Sequence, residues 1–323
     1  MSLTRNLMLA VLVVATVLAA SRAELVWNGN FETYDSSAEL DEWDWDNQVG
    51  EYKTYIHGNQ EDGLTMSDFV TVSEDYVNPG ETIGTKGARV EINTKSSWNG
   101  GTLRRTELIP NYNAGDLQSG KLYFKWSMKQ GSTDSLLPDY EHQLVFFEAH
   151  YADIKYGSSQ PGGDDTIYFS VGGNKVWSEE FTPSTWFNFA LEVDFTNSRV
   201  ALWHSKGGQA LSQVVEPTSV GVSADSEFHL GNLRVQDSSG QQPDHTEVLY
   251  YSGVYVEDSL SGNLNGGAPD LDGTGEDDGA DGTTDGTTDG TTDGSTDGTD
   301  GTVDGGDGDG SSSSSLRPSF FMC

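Results

Sequence analysis

Two stretches carry residue types that could do chemistry. In "WNGGTLRRTELIP", Trp98 to Pro110, strand alternation puts Leu103, Arg105 and Glu107 on one face and Arg104, Thr106 and Leu108 on the other. An arginine and a glutamate side by side on one strand face form either a structural ion pair or part of a site for a polar ligand. In "DYEHQLVFFEAHYADIKYG" the same alternation predicts that His142, Leu144, Phe146, Glu148 and His150 share a face, with Gln143, Val145, Phe147, Ala149 and Tyr151 opposite. A face mixing rings, imidazoles and a carboxylate suits a sugar, because flat rings stack on pyranose faces while polar groups bond hydroxyls.

Breaking a glycosidic bond usually takes two carboxyl groups, one protonated to donate and one ionised to attack or to activate water. Glu107 and Glu148 are the pair whose neighbours best fit those roles. Arg105 would hold Glu107 ionised, and apolar surroundings at Glu148 would raise its pKa and keep it a proton donor. The alternative is that Arg105–Glu107 is only an ion pair and Glu148 only closes a loop. Of the six histidines, His229 in "EFHLG" stands out, since it lies opposite the strand face carrying Phe228 and Leu230. No metal site is expected: nothing resembles H-E-x-x-H, and "HQ", "WHS" and "FHL" lie on separate strands. No G-x-S-x-G elbow, phosphate-cradling loop or dinucleotide fingerprint is present, so no cofactor is expected. Trp43, Trp45 and Trp98 sit among Asn, Asp and Gly, which suggests partly exposed indoles.

The segments that must position these groups read as strands. "GKLYFKWSMK" alternates Leu122, Phe124, Trp126 and Met128 against Tyr123, Lys125, Ser127 and Lys129, and "TWFNFALEVDF" repeats the pattern. "RVALWHS", "EFHLGNLRV" and "EVLYYSGVYVE" continue it, separated by Gly, Pro and Asn turn signals; only "SSAELDEW" is weakly helical. Many short strands of this kind predict an all-β, jelly-roll sandwich of two antiparallel sheets with an open cleft.

Three regions are expected. Residues 1–23 have a basic start, an apolar run from Leu7 to Ala20 and small residues at Ser21 and Ala23, the layout of a secretory signal peptide. Residues 24–260 form the globular domain. Residues 261–323 are an Asp/Gly/Thr/Ser-rich tail with almost no large apolar side chains, expected to stay disordered as a self-repelling tether. Its Thr-Thr-Asp-Gly tetrads lack the layout of known calcium loops. The sole cysteine is Cys323, which excludes an intramolecular disulfide. The formal charge is −34, with fourteen acids and one arginine from Asn265 onward, so −21 remains elsewhere. Such a balance excludes nucleic acid and anionic membranes as partners and suits a neutral polymer. A secreted monomer, free of membrane after signal cleavage, is expected.

Taken together, "ELVWNGNFETYDSSAELDEWDWDNQVGEYKTYIHG", "SSWNGGTLRRTELIP", "EHQLVFFEAHYADIKYG", "VALWHS" and "FHLGNLR" resemble glycoside hydrolase family 131 over Leu25 to Glu257. That resemblance implies a secreted β-glucanase with a β-jelly-roll catalytic domain and broad action on β-1,3-, β-1,6- and β-1,4-linked glucan. It also implies Glu107 and Glu148 as catalytic carboxyls, with Arg104, Arg105 and His229 near them. Trp98, His142, Gln143 and His150 complete the expected substrate-binding set. "RRTEL" also resembles the arginine-glutamate strand of jelly-roll alginate lyases, where Arg105, Gln143 and His142 or Tyr151 would take the working roles. A domain of charge −23 over residues 24–260 is poorly suited to a polyanion. A glucan-binding module without catalysis is the third reading.

Overall fold

The computed structural model describes residues 23–42, 50–56, 63–97, 101–111, 117–160, 162–237 and 239–261. The apolar run at 7–20, the acidic segment after Ser261, and Trp43, Trp45 and Trp98 lie outside the described residues.

Fifteen strands among the described residues make two antiparallel sheets. One runs in the order β13 (Ser212–Ser219), β12 (Arg199–Lys206), β11 (Phe187–Asp194), β6 (Lys121–Gln130), β15 (Glu247–Glu257), β4 (Gly87–Ile92) and β3 (Val70–Ser73), with β1 (Leu25–Asn28) also paired to β15. The other runs β10 (Asn174–Glu180), β9 (Thr166–Val171), β8 (Ala152–Tyr156), β7 (His142–Phe147), β14 (Phe228–Arg234), β5 (Arg104–Pro110) and β2 (Tyr52–Ile56). This is the expected jelly-roll sandwich. "SAELDE" forms only a short 3-10 helix, Ser37–Glu42.

The alternation read in β6 is observed: Leu122, Phe124, Trp126 and Met128 all enter the core. Phe124 meets Phe147 of the facing sheet edge-on at 5.3 Å and Phe228 at 4.9 Å, while Trp126 stacks on Phe189 at 5.4 Å. Such pairs add about 0.5–1.5 kcal/mol each beyond their burial. The opposite face of β6 is not left to water. Asn78 donates to Ser127 Oγ (3.0 Å) and to Asn188 Oδ1 (2.7 Å), and Lys125 is buried against Glu257 and Ser261. Ser261 Oγ donates to Glu257 and accepts from Lys125 Nζ (3.0 Å), which also bonds the Ser261 carbonyl (2.6 Å). The polar half of the alternating pattern therefore marks a loop-covered face.

Between the sheets sits a fully buried polar cluster. Glu247 on β15 accepts from Arg234 Nη1 (3.0 Å) on β14, from His142 Nε2 (3.1 and 3.0 Å) on β7, from Asn232 (3.3 Å) and from the Leu137 amide (3.0 Å). Burial alone would raise the pKa of Glu247, but His142, Arg234 and the Leu137 amide pull it down to about 2. A buried carboxylate is tolerated here because every side of it has a donor.

The strand carrying His142 departs from simple alternation. β7 has register breaks against β8 at Gln143–Val145 and against β14 at Leu230–Leu233. Leu144 and Val145, though adjacent, both join the core. The break splits the predicted face: His142 and Leu144 point between the sheets, while Gln143 and Phe146 point away from the core. The strand also stops at Phe147 rather than running on to Tyr151, and Glu148 and Ala149 form a turn. His150 then adopts φ 52°, in the left-handed region.

Candidate active site

The outward face of the seven-stranded sheet gathers four of the chemically suggestive side chains around β5, β14 and the turn after β7. Glu107 stands in the middle of β5, opposite Gly231 of β14. Arg105, two residues earlier on the same face, donates from Nε to Glu107 Oε1 (2.6 Å) and from Nη2 to Oε2 (2.7 Å). This bidentate fork is the geometry in which arginine holds a carboxylate best. His229 approaches from β14, and its Nδ1 lies 2.7 Å from Glu107 Oε2. An ionised carboxylate can only accept, so Nδ1 carries the proton and Nε2 is turned the other way.

Nε2 of His229 lies 3.4 Å from Glu148 Oε2 and makes no hydrogen bond to it. The imidazole thus stands between two carboxyl groups in very different settings. Glu107 is wholly buried beneath His229 and Arg105, whereas the side chain of Glu148 is 60% exposed. Burial pushes the Glu107 pKa up, but the Arg105 charge, the His229 hydrogen bond and the Arg105 hydrogen bonds outweigh it and bring it down to about 2. Glu107 is a permanent anion at any ordinary pH.

Ring stacking fixes the imidazole. Phe146 lies between His229 (4.6 Å, 17°) and His150 (5.4 Å, 16°), giving three near-parallel rings side by side. His150 is held from behind by Asp153 Oδ1, 3.1 Å from its Nδ1, and this hydrogen bond raises the His150 pKa. On the other side, Gly231 lets β14 close on β5: a Cβ there would fall 2.1 Å from the Thr106 carbonyl oxygen and 2.7 Å from the Glu107 Cα. A glycine inside a strand pattern signals such an approach.

A buried anion that orients an imidazole, beside which stands an exposed carboxyl, is an arrangement for holding and moving a proton at the sheet surface. The family model of the glycoside hydrolase 131 catalytic N-terminal domain matches residues 25–262, a span that contains every one of the fifteen strands. The chain belongs to glycoside hydrolase family 131. A GH131 β-glucanase catalytic domain from Podospora anserina shares 37% identity at a TM-score of 0.69, over 75% of this chain and 100% of that one. The catalytic domain of a family 131 protein from Coprinopsis cinerea shares 36% at 0.65, over 74% and 96%. No curated protein matches this chain.

In this family 131 hydrolase the predicted residues separate into groups. Arg105, Glu107, His229 and Glu148 are brought together, with His150 joined to them through Phe146. Gln143 faces outward one strand further along, opposite Lys155 of β8. His142 is displaced from the expected set: the β7 register break turns it inward onto Glu247, fully buried. Arg104 is also displaced. It points to the other side of β5, where its Nη1 donates to the Thr94 carbonyl and to Ser97 Oγ. Trp98 lies outside the described residues. The surroundings of Glu148 differ from expectation too, since the turn after β7 exposes it rather than setting it among apolar groups. Sequence reasoning missed Phe146 as the ring that sets His229, and it missed Gly231 and Asp153; the strand-interior glycine in "FHLGNLR" was the one available signal.

Proposed function

We propose that this hydrolase cleaves β-glucans, with β-1,3-, β-1,6- and β-1,4-linkages as its range, and that Glu148 and His229 are the groups that meet the scissile bond. The observation that carries this reading is the Glu107–His229–Glu148 chain, in which only one carboxyl is open to a substrate. Glu148 delivers a proton to the departing glycosidic oxygen. His229, with Nδ1 fixed on Glu107, then takes a proton at Nε2 from the water whose oxygen bonds to the anomeric carbon, and passes it to Glu148 to restore the acid. Glu107 acts through His229 rather than on the sugar: it holds the tautomer and stabilises positive charge on the ring, as a buried aspartate does behind a catalytic histidine. Arg105 keeps Glu107 ionised and presents its partly exposed edge to sugar hydroxyls. The stacked rings of Phe146 and His150 and the outward Gln143 support a polyhydroxyl ligand at the same face.

The identities to the Podospora and Coprinopsis catalytic domains support the substrate class. The basic, apolar and small-residue order of residues 1–23 supports secretion, and the acidic composition after 260 supports a tether outside the catalytic domain.

One assay tests the reading. Purified protein is incubated with laminarin, cellulose and alginate while reducing ends and unsaturated-uronate absorbance are followed. Reducing ends from glucan, with no absorbance from alginate, are expected. Absorbance from alginate would replace the hydrolase with a lyase, and tight glucan binding without products would leave only a binding module.

A further inference from the structure

The outward face of the seven-stranded sheet continues past the proton-handling cluster. Strand pairing lines up two cross-strand rows there. Gln143 lies opposite Lys155, Lys155 opposite Tyr168, and Tyr168 opposite Ser178, in β7, β8, β9 and β10. Alongside, Phe146 lies opposite Asp153, Asp153 opposite Ser170, and Ser170 opposite Lys175. The second row begins at His229, which is opposite Phe146. Lys155, Tyr168, Ser170 and Lys175 of these rows, together with Glu141 and Asp164, line a groove of about 340 Å³.

The chemistry of that groove is specific. Each ammonium already has a carboxylate: Lys155 Nζ is 3.2 Å from Glu141 Oε1, and Lys175 Nζ is 3.0 Å from Asp164 Oδ2. Two cations and two anions leave the lining neutral in a chain whose formal charge is −34. Lys175 also covers the Tyr168 ring at 4.8 Å from its centroid, and its Nζ reaches Thr166 Oγ1 at 3.0 Å. An anionic ligand would have to displace a carboxylate from each lysine. A neutral polyol can bridge the existing pairs, because a hydroxyl both donates to a carboxylate and accepts from an ammonium. From β14 to β9 is three strand spacings, roughly 14 Å, or about three glucosyl units along a chain laid across the strands.

Resting on the β-glucanase reading above, we infer that the groove formed by Lys155, Tyr168, Ser170 and Lys175 is a distal subsite. It holds uncharged glucosyl units about three positions from the cleaved bond, by the strand-spacing estimate. It confers preference for long glucans over short ones and selects against uronate chains.

The test is the ratio of kcat/KM for a gluco-hexaose to that for the triose of the same linkage, a quantity from which the fraction of folded enzyme cancels. Tyr168→Ala is expected to lower the ratio about tenfold. Lys175→Ala, at an exposed position, is expected to lower it in the same direction. An unchanged ratio in both variants overturns the subsite while leaving the glucanase reading intact. Parental enzyme that cleaves neither oligosaccharide, nor any polymeric glucan, overturns both.

Discussion

Gly231 lies directly opposite Glu107 in the β14–β5 ladder, and the space a side chain would need at Gly231 is already taken by the backbone that presents Glu107. Because the obstructing atoms are a carbonyl oxygen and a Cα, they cannot swing aside as a flexible side chain would. Gly231→Ala should force β14 away from β5 and shift His229 relative to Glu107. A misplacement of about 1 Å can cost ~10²-fold in rate, so kcat on soluble glucan is expected to fall by about that factor. Retention of full turnover would show that the close approach does not set the site.

Glu148→Gln and Glu107→Gln should fail differently. Loss of the proton carried by Glu148 is expected to cut kcat by ~10²–10⁴-fold with little change in stability, given its exposure. Glu107→Gln removes the anion that fixes the Nδ1–H of His229 and that pairs with Arg105 in the interior, so its drop in kcat should come with a lower unfolding midpoint. Measuring rate and midpoint in both variants separates an exposed group that meets the substrate from a buried one that acts through the ring.

Acid stability follows from two carboxylates. The pKa values of Glu107 and Glu247 fall from an ordinary 4.5 to about 2. Groups with depressed folded-state values stabilise the fold above the unfolded pKa and lose that contribution as pH falls through the folded one. The window is thus from about pH 4.5 down to about pH 2, and each group contributes on the order of 3 kcal/mol at neutral pH. Thermal unfolding midpoints should be nearly flat above pH 5 and fall steeply below pH 4. Glu247→Gln should be destabilised at pH 7 by roughly 3–5 kcal/mol, since Arg234 loses a buried partner, and should show a shallower acid slope than the parent.

His150 occupies φ 52° without being glycine. The left-handed conformation costs an L-residue roughly 1–2 kcal/mol, and glycine is free of that cost. His150→Gly is expected to be more stable than His150→Ala by about 1 kcal/mol in matched denaturant titrations. Equal stability would mean that the Asp153 hydrogen bond and Phe146 stacking, absent in both variants, are all that the position contributes.

The sandwich was legible because its longer strands alternate over seven to eleven residues and bury one face against the other sheet. The pairing of Arg105 with Glu107 was legible for the same reason, as was the separation of His229 from Phe228 and Leu230. What alternation could not reveal was its own interruption. The β7 break leaves no mark on composition, yet it sends His142 to Glu247, 105 residues away, and leaves Gln143 on the groove side. The burial of Glu107 was equally hidden, because His229, which covers it together with Arg105, comes from β14, more than a hundred positions later in the chain. Exposure of Glu148 depended on where β7 ended, a boundary that the apolar run through Phe147 did not announce.

The clasp of Lys125 and Glu257 on Ser261 has a mechanical consequence. β15 is flanked by β6 and β4, with β1 along its final residues, so a pull applied beyond Ser261 would act on an interior strand. Drag on that segment cannot unzip a free margin. It must first tear out the clasp and then shear the ladders to β1 and β6 together, so load passes into the middle of the sheet rather than its rim.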